Sequence, residues 1–168
     1  MEEVRQGPVF YRQERITQYG RVFRIFKFRT MVSNADQIGS LVTTQNDSRI
    51  TKVGDKIRKC RLDEIPQLIN IFIGDMSFVG TRPEVKKYVD AYSDEMNATL
   101  LLPAGVTSLA SINYRDEDEI LEDKTSQGKS IDEAYIEDVL PDKMKYNLEY
   151  LTDFNIAKDV MLCVKTVI

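Results

Sequence analysis

The 168-residue sequence predicts a single α+β domain, predominantly helical, with one β-hairpin near its N-terminus. Three observations predict this class. Across "VFYRQERI", "TQYGR" and "VFRIFKFRTM", aromatic and β-branched residues alternate with charged ones on both sides of a Gly-containing turn, which is a hairpin pattern. Further along, apolar residues recur at helical spacing in segments separated by Gly, Pro and polar turns. The composition, 42% apolar and 30% charged, is that of a globular chain with a modest core.

Each element follows in order. The second hairpin strand is expected to point Arg24, Lys27 and Arg29 outward among Phe23, Phe26 and Phe28. Ser33 to Ser48 reads as a short helix and a polar loop. In "DSRITKVGDKIRKCRL", Asp47 or Ser48 is expected to cap a helix. Its stripe is Ile50, Val53, Ile57 and Leu62, with Lys52, Lys56 and Lys59 opposite. In "DEIPQLINIFIGDMS", Asp63 stands at the N-cap position and Pro66 in the first turn, where amides lack helical partners. The run from Leu68 to Ile73 is so apolar that this helix should be buried in a core or against lipid. "SFVGTRPEV" is a turn-rich connection, Pro83 to Leu102 one or two helices, and "PAGVTSLASINYR" loop and strand. Residues 116–142 read as acidic surface helices, and Pro141 opens a last amphipathic stretch.

Composition excludes several chemistries. The chain has no histidine and two cysteines, Cys60 and Cys163. Ser-His-Asp and Cys-His catalysis, His-ligated zinc and a four-thiolate site are therefore ruled out. Catalysis would rest on Asp, Glu, Lys, Arg, Tyr, Ser or Thr, and an oxygen-rich ligand set favours Mg²⁺ as any metal. Charge is uneven: residues 1–60 hold 12 Lys/Arg against 6 Asp/Glu, and residues 61–168 hold 11 against 21. The first part suits an anionic ligand or surface, while a net charge of −4 argues against general nucleic-acid binding.

The pair Asp63–Glu64, preceded by Lys56, Arg58, Lys59 and Arg61, admits two readings on spacing alone. It can be a helix cap with a second acid favouring the helix dipole. It can also be a reaction centre. There, helix amides and arginines would attract a phosphate and keep Asp63 ionised as a nucleophile, with Glu64 holding Mg²⁺. Arg82 in "GTRP" is either a structural donor or a guanidinium fixed against phosphate. "RDED" at 115–118 has the Asp-x-Asp form of some metal sites, but the residues after it read as a solvated helix. The C-terminal amphipathic segment suits core packing, and equally a helix lying at a membrane interface.

The stretches "GPVFYRQERI", "FRIFKFRTM", "DSRITKVGDKIRKCRLDEIPQLINIFIGDMSFVGTRP" and "PAGVTSLASINYR", with the Lys-rich apolar tail, resemble the bacterial sugar transferase family. These are the monotopic, small-type polyprenyl-phosphate phosphoglycosyl transferases, and the matching stretches run in family order over nearly the whole chain. The resemblance implies transfer of a sugar phosphate from a UDP-sugar to undecaprenyl (polyprenyl) phosphate, with release of UMP. That reaction is the first membrane step of capsule, exopolysaccharide, O-antigen or glycoprotein glycan assembly. It also implies a location at the cytoplasmic face of the bacterial inner membrane, with amphipathic helices lying at the membrane interface. By the same resemblance Asp63 is the nucleophile that forms an aspartyl-phosphosugar, and Glu64 is the Mg²⁺-binding partner. Arg58 and Arg82 match phosphate-binding arginines, Lys27 an active-site lysine, Arg115 an arginine near the nucleotide-sugar pocket, and Asp159 a late acid close to the site.

The sequence departs from the family pattern at three places. Thr81-Arg82-Pro83 replaces Pro-Arg-Pro, and "PAGVTS" followed by Leu109 replaces Pro-Gly-Ile-Thr-Gly and an aromatic residue. The family's N-terminal hydrophobic re-entrant helix has no counterpart ahead of Gly7-Pro8, so the chain is expected to be shortened at its N-terminus.

Overall fold

The computed structural model describes residues 7–38, 42–43, 47–114 and 117–167. Strands β1 (Phe10–Ile16) and β2 (Val22–Phe28) form the expected antiparallel hairpin, in register from Phe10 opposite Phe28 to Ile16 opposite Val22. The reversal between them places Tyr19 and Gly20 at φ of 58° and 73°, the left-handed conformation that glycine accepts most readily. Side chains alternate faces along a strand. Phe23 and Ile25, 5% and 3% exposed, pack against Met76, and Lys27 follows them on that inward face. The sequence reading that set Lys27 outward with Arg24 is therefore corrected: an odd spacing of three residues puts the two on opposite faces.

The next helix is shorter than its apolar stripe suggests. Helix α1 (Lys52–Lys59) is capped by Thr51, whose hydroxyl accepts from the Gly54 amide at 2.9 Å. Asp47 is instead turned to the Arg49 guanidinium, 2.5 Å away. Val53 and Leu62 are 54% and 46% exposed. The buried contact of α1 is Gly54, where a Cβ would lie 2.0 Å from the carbonyl oxygen of Thr30. Absence of a side chain is what lets α1 press against the strand exit.

After α1 the backbone turns through Arg61, with φ of 52°, into a 3₁₀ turn over Leu62–Glu64. Helix α2 (Gln67–Phe72) begins only after Pro66. Asp63 thus sits in the turn before α2 and does not cap it. Helix α2 is also inverted relative to a core helix. Its buried residues are the polar Gln67 and Asn70, while Leu68, Ile69 and Phe72 are 50%, 41% and 91% exposed. Asn70 continues the sheet by side chain: its carbonyl accepts from the Phe26 amide at 2.9 Å, and its amide donates to the Arg24 carbonyl at 3.0 Å.

Strands β3 (Ser77–Val79) and β4 (Gly105–Thr107) pair in parallel. Between them lie α3 (Lys86–Val89), α4 (Asp94–Asn97) and a 3₁₀ turn over Ala98–Leu101. Gly80 and Gly105 let these two backbones meet, since a Cβ on Gly105 would lie 2.1 Å from the Gly80 nitrogen. Three-residue strands carry too short a pattern to be read from alternation. The rest is helical: α5 (Leu109–Asn113), α6 (Glu117–Ser126), α7 (Ile131–Ala134), a π turn over Tyr135–Val139, α8 (Leu140–Thr152) and α9 (Ile156–Val167). The region expected to be acidic surface helices supplies much of the largest core cluster, in which Val85 and Tyr88 pack on Leu121, Ala134, Tyr135, Val139, Leu140 and Met144. The apolar residues Leu121, Ala134, Tyr135, Val139 and Leu140 of those segments are the ones that turn inward.

The Gly54 contact can be tested directly. Gly54→Ala is expected to lower stability by about 1–3 kcal/mol through overpacking against Thr30, read as a drop in thermal midpoint. A variant that melts with the wild type would show that α1 does not press on the strand exit.

Candidate active site

The segments that Gly54, Arg61 and Asn70 hold in place converge on a cleft of about 790 Å³. The hairpin contributes Arg15 and Lys27, the α1–α2 junction contributes Arg58, Arg61, Asp63 and Glu64, and the turn after β3 contributes Arg82 and Glu84. The far side is built from Ser108, Ser111, Tyr114, Tyr135, Lys143 and Asn147. A smaller hollow of about 110 Å³ adjoins this cleft and shares Arg15, Lys27, Arg58 and Asp63 with it. Asp63 therefore borders both spaces.

The adjacent acids have opposite environments. Glu64 is gripped by cations: Arg82 donates to both of its oxygens, through Nη1 to Oε2 at 3.3 Å and through Nη2 to Oε1. Lys27 Nζ donates to Oε1 at 3.0 Å. Burial by itself would raise the Glu64 carboxyl, but Arg82 and Lys27 outweigh it and hold the group well below the carboxylate range. Arg82 is pushed upward by Glu64. Lys27 moves to about 8, because burial lowers it, Glu64 only partly restores it, and Arg82 and Arg15 press it down again.

Asp63 is 8% exposed and its carboxylate has no side-chain partner among the described residues. Burial raises its pKa first, and the neighbouring Glu64 raises it further; Lys27 and Arg58 oppose without cancelling them. Lys27 and Arg58 thus favour the ionised form of Asp63, as the sequence leads one to expect, while burial and Glu64 shift it the other way, opposite in direction to Glu64. Arg58 anchors through Nε to the Thr30 hydroxyl at 2.9 Å, and its terminal nitrogens bond to nothing among the described residues.

Of the residues singled out from sequence, Lys27, Arg58, Asp63, Glu64 and Arg82 meet at this cleft. Asp159 does not line it; it accepts a 2.6 Å hydrogen bond from the Tyr150 hydroxyl. Arg115 lies outside the described residues. Sequence reasoning missed the network beside Arg82. The Tyr135 hydroxyl donates to Glu84 at 2.5 Å, Lys143 donates to Tyr135 and to Glu117 at 3.1 Å each, and Arg15 lies 3.7 Å from Glu84. Glu84 was readable as the acid two residues beyond Arg82. Tyr135 and Lys143 gave no local signal, because only tertiary packing brings the π turn and α8 to the cleft.

The ion pairs set an expected pH response. A carboxyl held low when folded stabilises above its unfolded value, 4.5 for Glu64, and that contribution is lost as pH falls below it toward the folded value. The wild type should lose stability steeply between about pH 5 and pH 2, and Glu64→Gln should flatten that limb. At pH 7 Glu64→Gln should cost about 3 kcal/mol, because two cations are left without their partner. Superimposable acid limbs in denaturant titrations of the two proteins would refute this account of Glu64.

Residues 2–168 match the family described as bacterial sugar transferase. The chain is 32% identical over 164 residues to the UDP-N-acetylgalactosamine-undecaprenyl-phosphate N-acetylgalactosaminephosphotransferase of Aeromonas hydrophila, covering 96% of this chain and 35% of that protein. It is 32% identical over 166 residues to the UDP-glucose:undecaprenyl-phosphate glucose-1-phosphate transferase of Escherichia coli K12, covering 96% of this chain and 32% of that protein. The uncharacterized sugar transferase EpsL of Bacillus subtilis is 39% identical over 110 residues, covering 66% of this chain and 54% of its own length. The chain spans about a third of the length of the first two relatives. With the family matched across nearly its whole length and the acid pair set in a cationic cleft, the chain belongs to the bacterial sugar transferase family.

Proposed function

We propose that the chain is a phosphoglycosyl transferase that moves a sugar phosphate from a UDP-sugar to undecaprenyl phosphate. The observation that carries this reading is the division of labour in the acid pair. Glu64 is neutralised by Arg82 and Lys27, while Asp63 borders the cleft with no side-chain partner among the described residues. A carboxylate so placed can attack. An Asp63 oxygen forms a bond to the sugar-bearing phosphorus, the phosphoanhydride bond breaks, and UMP leaves with that electron pair. An oxygen of the lipid phosphate then attacks the same phosphorus, the bond to Asp63 breaks, and the carboxylate is regenerated. Arg58, through its unengaged terminal nitrogens, and Arg82 offer planar donors for the oxygens of the transferred group.

The acid pair also fits Mg²⁺, which is commonly held by one or two carboxylates and the oxygens of a bound phosphate. Among the described residues there is no cluster of three or more acidic ligands, so the substrate would complete the coordination. Bound there, the ion would neutralise diphosphate charge. Glu64 would hold the ion in exchange for contacts its oxygens make with Arg82 and Lys27, which leaves an Asp63 oxygen to attack.

Exposed apolar residues support a place at the cytoplasmic face of the bacterial inner membrane. No helix among the described residues is long and apolar enough to cross a membrane. Two helices nevertheless carry outward apolar faces: Ile69, Phe72 and Ile73 at α2, and Ile156, Val160 and Val164 on α9 at 84%, 60% and 50% exposure. That arrangement suits helices lying in the interface.

Two outcomes test these proposals. With Mg²⁺, a UDP-sugar and undecaprenyl phosphate, Asp63→Asn should cut UMP release by about 10³-fold or more, and the wild type mixed with donor alone should carry a phosphosugar mass on the Asp63 peptide. A fully active Asp63→Asn would sink the mechanism. Separately, Phe72→Ser with Ile73→Ser should weaken sedimentation with anionic phospholipid vesicles by about tenfold. Undiminished binding would remove α2 from the membrane contact.

A further inference from the structure

The cleft has a second wall whose chemistry differs from that of the phosphate side. Ser108 and Ser111, at the start of α5, line it with hydroxyls 2.7 Å apart, and Asn147 of α8 lines it beside them. Asn147 is 5% exposed. Its carboxamide nonetheless meets only the Sδ of Met144, 3.6 Å from Nδ2, among the described residues. A thioether is a weak acceptor, and a carboxamide carries two donor hydrogens and an acceptor oxygen. Its remaining hydrogen-bonding capacity is open to the cleft, since the sealed polar side-chain atoms without a partner among the described residues are those of Gln67 and the Tyr114 hydroxyl. Leu140 and Met144 anchor α8 in the core, which keeps Asn147 at the cleft wall.

We propose that Asn147 is a specificity-determining residue that hydrogen-bonds an amide group on the uncharged part of the sugar-nucleotide donor. The proposal rests on the reading of the cleft as a sugar-nucleotide site. Its chemistry is complementary. The phosphates need the cations of the Arg58–Arg82 side, whereas a neutral group presenting N–H and C=O together needs a neutral donor and acceptor. A carboxamide supplies both in one plane, as asparagine does when it reads a base edge. Two parts of such donors carry an amide: the imide edge of uracil and the acetamido group of an N-acetylated sugar.

Calorimetric titration of the chain with UMP, UDP-glucose and UDP-N-acetylglucosamine tests this, comparing wild type with Asn147→Leu and Asn147→Ser. Leucine keeps the volume and removes every hydrogen bond; serine serves if the leucine variant does not fold. Contact with uracil should weaken all three ligands equally, by about 3- to 10-fold. Contact with the acetamido group should weaken UDP-N-acetylglucosamine alone by the same factor. A folded variant that binds all three like the wild type overturns the proposal and leaves the phosphoglycosyl transferase reading standing. A wild type that binds none of them, with Mg²⁺ present, overturns that reading and this proposal with it.

Discussion

The Glu64 carboxylate, gripped by Arg82 and Lys27, is the constraint on which the site depends. Its three members come from three separate segments: the inward face of β2, the 3₁₀ turn, and the turn after β3. Burying such charges is unfavourable unless each has a partner. The three segments must therefore arrive together, and each removes the penalty of the others. Glu84, which accepts from Tyr135 and lies near Arg15, places a second charged network beside this one in the same cleft.

The backbone makes that meeting possible with small residues at the points of contact. Gly54 lets α1 touch Thr30, and Thr30 in turn holds Arg58. Gly80 and Gly105 bring β3 and β4 into contact next to Arg82. The 3₁₀ geometry of Leu62–Glu64 separates the two acids. Successive residues in that turn diverge by about 120°, so one carboxylate can be saturated by cations while its neighbour borders the cleft. The two neighbours therefore differ both in partners and in the direction of their pKa shifts.

The sequence made much of this legible. The hairpin followed from alternation, and the cationic approach to Asp63 followed from Arg58 and Arg61 standing just before it. The errors have physical causes. Charge alone points Lys27 outward, whereas strand parity with Phe23 and Ile25 turns it in. Pro66 marks a helix start and so suggests Asp63 as its cap, but the chain first spends a 3₁₀ turn reaching it. Strands of three residues, and the Tyr135–Glu84 contact across 51 positions, depend on pairings that no local window contains.

Helix α2 shows why the fold and the proposed membrane contact belong together. A helix with Gln67 and Asn70 inside and Leu68, Ile69 and Phe72 outside does not gain its stability from burying its own apolar face. It is retained by Asn70 bonding to β2 and by Ile71, its one inward apolar residue, packing beside Phe23, Ile25 and Met76. The outward face then remains available to an apolar environment, and lipid is the one consistent with the proposed lipid-phosphate acceptor. Ile65, half exposed, extends that face to the residue directly after Glu64. Seating α2 in the headgroup region would thus fix the height of the acid pair above the membrane, within reach of a phosphate carried on a lipid. The same inversion that looks unfavourable in isolation would place Asp63, the proposed nucleophile, at the surface where the proposed lipid-borne substrate resides.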